Sequence, residues 1–323
     1  MLHLRVICPA ERTDAVAELL DDAVGATHVV VLRGVAAKPA GDCVEADVVR
    51  ESANELLDAL ESMGLRHTGA ITLEPLDTVL SDTADRAAKD AVGDPDDAVV
   101  WDQLMAHTKE ESTLNATFLA FLTIACLIAA VGVVTDSPVT IVGAMVVGPE
   151  FGPLSALAVA LVRRSRRHVR RSLLPLIVGF PVAMIITGFA TFLGRLLGWV
   201  TQTRIENLHQ VDFIYEVGAA SFVVALLAGA AGMLSLVSAK SAALIGVFIS
   251  VTTIPAAGFA VVAASVGEWA IAFRSMGQLA VNLTGIVIAG VVVLLARPET
   301  WPRKFSRRLT DRDSARFRYP WMG

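Results

Sequence analysis

Charged residues are scarce in this chain, and so is cysteine. Only 18% of its 323 residues are Asp, Glu, Lys or Arg, where a soluble enzyme of this size carries about 25%. Three cysteines are too few for a disulfide-stapled secreted domain, and Cys8 and Cys43 lack C-x-x-C spacing. No phosphate loop, metal-ligand cluster or nucleophile–base pair stands out, and His3, His28 and His67 are scattered. The paired Asp, Ser–His and His–Glu–His sets of intramembrane enzymes are also missing. The chain therefore reads as a non-enzyme that needs no cofactor and no metal. The opening residues, MLHLRVICPA, lack the charged segment and long apolar core of a cleavable signal peptide. The first membrane span is expected to act as the insertion signal.

What is abundant is apolar surface. Hydrophobic residues make up 54% of the chain and the mean hydropathy is +0.60, far from a disordered composition. The excess is uneven. From Leu114 onward the sequence is mostly apolar runs of bilayer length, whereas residues 1–112 read as a soluble head. Charge divides in the same place: the head holds 9 basic and 23 acidic residues, the remainder 18 basic and 9 acidic. An acidic head on a basic membrane part argues for opposite surroundings of the two halves and not for nucleic-acid binding.

Six segments alternate in the head. Leu2–Cys8 alternates like a strand, Glu11–Val24 is helical and ends at Gly25, and Thr27–Leu32 is β-branched. Asp42–Val49 alternates again, Ser52–Met63 is helical with Gly64 as its stop, and His67–Leu73 closes as a strand. The order βαββαβ predicts an α+β, ferredoxin-like domain over residues 1–74. A fold of this kind serves regulation or assembly as readily as chemistry. Residues 75–97 read as a polar linker and 96–112 as a helix leading to the membrane, so 75–112 forms a linker unit.

Spanning the hydrocarbon core takes about 20 mostly apolar residues. Six segments qualify: Leu114–Val134, Val139–Val162, Leu173–Leu197, Val217–Val237, Ala242–Val266 and Ala270–Ala296. The loop Arg163–Arg171 and the tail with Arg297, Arg303, Lys304, Arg307 and Arg308 are the basic stretches, which places both in the cytoplasm. Both termini then share that side of the cell (inner or plasma) membrane. The Arg163–Arg171 run is expected to touch anionic lipid headgroups in preference to nucleic acid.

The second and fifth spans look alike. Gly143 pairs with Gly246 and Arg171-Ser172 with Arg274-Ser275 at one offset, while Ala130-Val-Gly132 parallels Ala230-Ala-Gly232 three residues off that register. A duplication of three spans gives copies of opposite orientation, here 113–197 and 217–296, with an external loop 198–216 between them and a basic cytoplasmic tail 297–323 after them. Such a 3+3 inverted repeat is the construction of many secondary transporters. Each copy also carries a break. Gly148-Pro149-Glu150-Phe151-Gly152-Pro153 interrupts the second span, and Ser250, Thr252, Thr253 and Pro255 lie mid-way in the fifth. Proline removes a donor and clashes with the preceding turn, which frees backbone groups that lipid cannot satisfy. Matched breaks point to a substrate or ion site. Glu150 is costly at this depth unless it faces protein or water. It reads either as a group that binds a cation or proton, or gates access, or as a cap for the freed amides or a partner of an Arg. Asn282, mid-way in the sixth span, reads as a substrate contact or an interhelical bond, and Asp136 as a cap before Pro138.

At these motifs the chain resembles the uncharacterised hydrophobic-domain family known as domain of unknown function 389. The matching residues are Gly143-Ala144-Met145 through Pro149 and Gly152-Pro153, Ala230-Ala231-Gly232, Leu244-Ile245-Gly246-Val247 through Pro255, and Asn282. The resemblance covers roughly residues 110–296. It implies a prokaryotic membrane protein without an agreed substrate. Glu150-Phe151 stands here where many members carry two apolar residues.

Two functions remain open. One is a transporter or channel-like carrier for a small ion or metabolite, bound between the repeats at Gly148, Pro149, Glu150, Gly152, Pro153, Ser250, Thr252, Thr253, Pro255 and Asn282, and regulated or assembled by the head. The alternative is a non-transporting membrane-anchored sensor or scaffold whose cytoplasmic domain binds a small ligand. Small-residue stretches such as Ala228-Gly229-Ala230-Ala231-Gly232 allow close helix contact and point to a homo-oligomer.

Overall fold

The computed structural model describes residues 1–91, 98–200, 218–238 and 252–297. The head is a four-stranded antiparallel sheet carrying helices. β1 (Leu2–Cys8), β2 (Ala26–Ala37), β3 (Ala40–Val48) and β4 (Ala70–Pro75) lie in the order β2-β3-β1-β4. α1 (Thr13–Asp21) links β1 to β2, and α2 (Arg50–Ser62) runs from β3 toward β4. The strand period of two explains the core: Leu2, Leu4, Val6 and Cys8 of β1 are buried beside Val44, Ala46 and Val48 of β3. Val16 and Leu20 of α1 and Leu56, Leu57 and Leu60 of α2 cover that face. α2 ends at Gly64, whose φ of +77° is a left-handed conformation that favours glycine.

Several expected boundaries move. β2 is longer than Thr27–Leu32, because the β2–β3 hairpin extends through two register shifts, at Thr27/Val30 and Leu32/Ala36. His67 belongs to a single helical turn, α3 (Leu65–Thr68), so β4 begins only at Ala70. The polar linker contains a helix, α4 (Asp82–Asp90), because Ser81 caps it by accepting from the Thr83 amide. His28 ties that helix start to the sheet through Ser81 Oγ at 2.8 Å and Thr83 Oγ1 at 3.0 Å.

Among the described residues, four helices are long and apolar enough to cross a membrane: α6 (Ala116–Val134), α9 (Arg166–Leu196), α10 (Ala219–Val237) and α12 (Trp269–Ala296). A fifth crossing is available to the pair α7 (Pro138–Val147) and α8 (Phe151–Val162), bent by 53°. α11 (Thr253–Val266) is apolar but only 14 residues long, and residues 242–251 of the expected fifth span lie outside the described residues. The expected basic loop shrinks to 163–165. Arg166–Arg171 form the first turns of α9, since Arg favours helix and Ser165 Oγ bonds His168 Nδ1 at 2.6 Å where that helix starts. Ser137, not Asp136, caps α7: its hydroxyl accepts from the Thr140 amide, Pro138 takes the first helical position, and Asp136 sits at φ +49° in the turn. The membrane core packs α6, α7, α9, α11 and α12 around Leu122, Cys126, Ile141, Phe180 and Phe259.

Head and membrane part are joined by α5 (Trp101–Glu111). Trp101 and Leu104 pack with Ala158 and Val159 of α8, Met233 and Val237 of α10 and Leu294 of α12. The C-terminal ends of these three helices therefore meet on the side of the bundle that faces the head. Arg163 stacks over the Trp101 ring, 5.5 Å from its centroid. α2 of the head reaches the same place: Asn54 clamps the chain through the Val99 carbonyl (2.7 Å) and the Trp101 amide (3.1 Å), and Arg50 Nη2 donates to the Val237 carbonyl at 3.1 Å.

Candidate functional site

Proline sets the first break. Pro149 biases the residue before it away from helix, and Gly148 adopts ψ 129°, so α7 ends at Val147. α8 restarts at Phe151. Gly152 and Pro153, expected within the break, instead form the second and third residues of α8. A proline is tolerated there because the first amides of a helix have no intrahelical partner. α11 starts in the same way: Thr252 precedes it, Thr253 is its first residue and Pro255 its third. Ser250 lies outside the described residues.

The first break and the start of α11 meet inside the protein. Gly148 is a glycine for reasons of space, its φ being an ordinary −66°. A Cβ on it would run into Glu150 Oε2, with Ile254 Cγ1 at 2.7 Å. Thr253 Oγ1 donates to Glu150 Oε1 at 2.5 Å. On the neighbouring helix, Asn282 Nδ2 donates to Thr252 Oγ1 at 2.8 Å, and Gln278 Nε2 donates to Asn282 Oδ1 at 3.1 Å. Glu150, Thr253, Asn282 and Gln278 are all buried. One polar chain thus runs Glu150–Thr253, then Thr252–Asn282–Gln278, through helices α8, α11 and α12.

Of the two structural parts open to Glu150 in the sequence, the Arg partner is absent among the described residues, while its own backbone amide does bond its carboxylate. Its side chain makes no capping bond to α8. Its second oxygen, Oε2, has no hydrogen-bond partner among the described residues, and neither do Gln278 Oε1 and Ser275 Oγ. Leaving a buried acceptor unmet costs about 1–3 kcal/mol. Gln278 and Ser275 escaped the sequence reading. A signal for them existed: Ser275, Gln278 and Asn282 recur at helical spacing on one face of an apolar helix.

The head has its own unmet carboxylate, Glu51 of α2, whose two oxygens are buried without a hydrogen-bond partner among the described residues. Asp42 is buried but fully bonded, by Thr13 Oγ1 at 2.6 Å and by the Gly34 amide at 2.7 Å. The Thr13 hydrogen bond and then the Gly34 amide hold its carboxyl below the usual carboxylate range. Asp47 joins His3 (2.9 Å) and His28 (2.7 Å). Burial raises its pKa, but the hydrogen bonds from the two histidines outweigh that and leave it below the ordinary value. Among the described residues no group of three or more His, Cys, Asp or Glu is arranged to hold a metal.

Residues 145–288 match the family described as a domain of unknown function (DUF389). That stretch includes the first break, Asn282 and Gln278, and it bears out the resemblance read in the sequence. An uncharacterized protein of Methanocaldococcus jannaschii is 22% identical over 213 residues, which is 65% of this chain and 64% of the relative. The chain thus spans slightly less than two thirds of that relative's length. No solved structure matches it.

Proposed function

We propose that the protein is a membrane transporter or channel-like carrier for a small ion or metabolite, with its site where the two broken segments meet. The observation that carries this reading is the convergence of two helix starts, each with proline at its third residue, on one buried carboxylate with an unmet oxygen. Irregular backbone at membrane depth persists where it lines a site or is buried in protein. The reading takes the chain as six spans in a 3+3 inverted repeat, the fifth span running through 242–251 into α11. Two points support the frame. Pro153 and Pro255 hold equivalent positions in α8 and α11. The ends of α8, α10 and α12 also share the head's side, as six spans with cytoplasmic termini require. In that orientation the ferredoxin-like head is cytoplasmic and Arg163–Arg171 lies at anionic headgroups.

The head regulates the site in this proposal. A Cβ on Gly152 would lie 3.0 Å from the Glu111 carbonyl oxygen, so the end of α5 packs directly on the helix turn that follows Glu150. Movement of the head through Asn54 and Arg50 therefore reaches the first break through α5 and the end of α10. The same docking is what a non-transporting sensor or scaffold would show, and flux separates the two. Purified protein in proteoliposomes, given inorganic ions and then pooled metabolites with and without a proton gradient, should show a saturable signal that Glu150→Gln abolishes or shifts in pH. Silence across the panel with folded, oriented protein overturns transport and leaves the sensor.

A further inference from the structure

We infer that the oxygens around Glu150 bind a desolvated alkali-metal ion, monovalent and of the size of sodium or potassium. This rests on the transport reading for its role, but not for its chemistry. Along this chain of polar groups, Glu150 Oε2 and Gln278 Oε1 are buried acceptors without a partner among the described residues, and one turn earlier in α12 the Ser275 hydroxyl is also unmet. The hydrogen-bond direction along the chain explains the pattern. Gln278 spends its amide nitrogen on Asn282 and Asn282 spends its own on Thr252, which turns the Gln278 carbonyl oxygen loose. A ligand that fits must offer positive charge or donors to oxygen lone pairs.

The charge of the site selects among such ligands. Glu150 is the one carboxylate in this cluster, joined by the hydroxyls of Thr252 and Thr253 and the side-chain oxygens of Gln278 and Asn282. A single negative charge among neutral oxygens balances one positive charge. Calcium and magnesium sites use several carboxylates or substrate phosphates. Helix starts ordinarily favour anions, but here the nearby Glu150 carboxylate repels them, and Pro153 and Pro255 each delete one of the free amides. A proton would answer Glu150 Oε2 alone and leave Gln278 Oε1 and Ser275 Oγ unmet. Ser275, one turn before Gln278 toward the start of α12, gives the ion a step between that helix end and Glu150.

Binding is read without transport by thermal unfolding of the full-length protein in sodium, potassium or choline chloride at equal ionic strength. A ligand that binds only the folded state raises the midpoint in proportion to its occupancy. Sodium or potassium should raise it saturably and choline should not. Glu150→Gln should erase the difference, and Gln278→Leu should raise the half-saturating concentration about tenfold. In choline, Gln278→Leu gives up its bond to Asn282 Oδ1 and should unfold somewhat lower than the parent, so its ion response is read from its own choline midpoint, which keeps the test alive if Glu150→Gln fails to fold. An equal response to choline, an ion-specific shift that survives Glu150→Gln, or an unchanged half-saturation in Gln278→Leu overturns the inference. An ion-specific shift without flux would remove transport and keep the ion; flux without such a shift would do the reverse.

Discussion

Asp42 in the head and Glu150 in the membrane part are equally hidden, at 4% and 7% exposure, yet their surroundings treat them differently. Asp42 has a donor on each oxygen and the Arg33 guanidinium 3.9 Å away. Glu150 has the Thr253 hydroxyl on one oxygen and a bare second oxygen among the described residues. Burial alone therefore does not mark function. Around Asp42 the head closes its polar groups locally, with a threonine at the start of α1 and a hairpin amide that fasten the sheet edge, whereas Glu51 of α2 keeps both carboxylate oxygens buried without a partner among the described residues. The membrane part leaves acceptors open where α8 and α11 start, at Glu150, and along α12 at Gln278.

Glu150→Gln tests the contrast most severely. It keeps the side-chain shape and an oxygen for Thr253 but removes the charge, so a tenfold to hundredfold fall in saturable flux is expected with near-parental unfolding. A variant that merely fails to fold would make Glu150 a second Asp42. Gly148→Ala comes next. The added methyl meets Glu150 Oε2 and Ile254, so it should push the carboxylate away from Thr253. A stability loss of about 1–3 kcal/mol, together with impaired flux, is the expected outcome; intact flux would show that the carboxylate does not need its place beside Ile254.

The first break and Asn282 were legible in the sequence because proline and isolated polar residues stand out against apolar helix. The head's strand alternation was legible for the same reason: period two is visible without partners. What escaped is what depends on partners. Nothing in the spacing of Thr253 and Glu150 says that their side chains touch, since they are 103 positions apart. Gln278 went unnoticed because its importance lies in which atom it spends on Asn282. Arg166–Arg171 read as loop because charge outweighed helix propensity in the reading, and α4 was hidden by its polarity. Pro153 and Pro255 read as breakers, whereas a helix start absorbs them.

The head's side of the contrast is sharpened by Thr13→Val. Removing the hydroxyl leaves Asp42 Oδ2 short of its donor, and the head's unfolding temperature should fall by roughly 5–10 °C, while flux is kept. Acid should act in the same direction. Asp42 is held low in the folded state, so the stability it adds is complete above the ordinary carboxylate range, and it is lost as pH falls through the depressed folded value. Asp47 follows the same sign. Unfolding followed from about pH 5 downward should show the loss, and Asp42→Asn should flatten part of it. A pH-independent head would mean that these carboxylates keep equal proton affinity in the unfolded chain.

The smallest effect carries the cleanest sign. Ser155 and Ser275 are both buried serines of membrane helices. Ser155 Oγ donates to the Gly152 carbonyl at 2.8 Å, while Ser275 Oγ has no partner among the described residues. Ser155→Ala therefore surrenders a bond and should lower stability by about 0.5–1.5 kcal/mol. Ser275→Ala surrenders none and relieves an unmet polar atom, so in choline its stability should be unchanged or higher by up to about 1 kcal/mol. In sodium or potassium the sign should reverse, because the hydroxyl then meets the ion on its way to Glu150. Thermal unfolding of the two variants in both salts decides it. If Ser275→Ala were destabilising in both, the open oxygen would be a structural atom with a partner of its own, closed off as Asp42 is in the head.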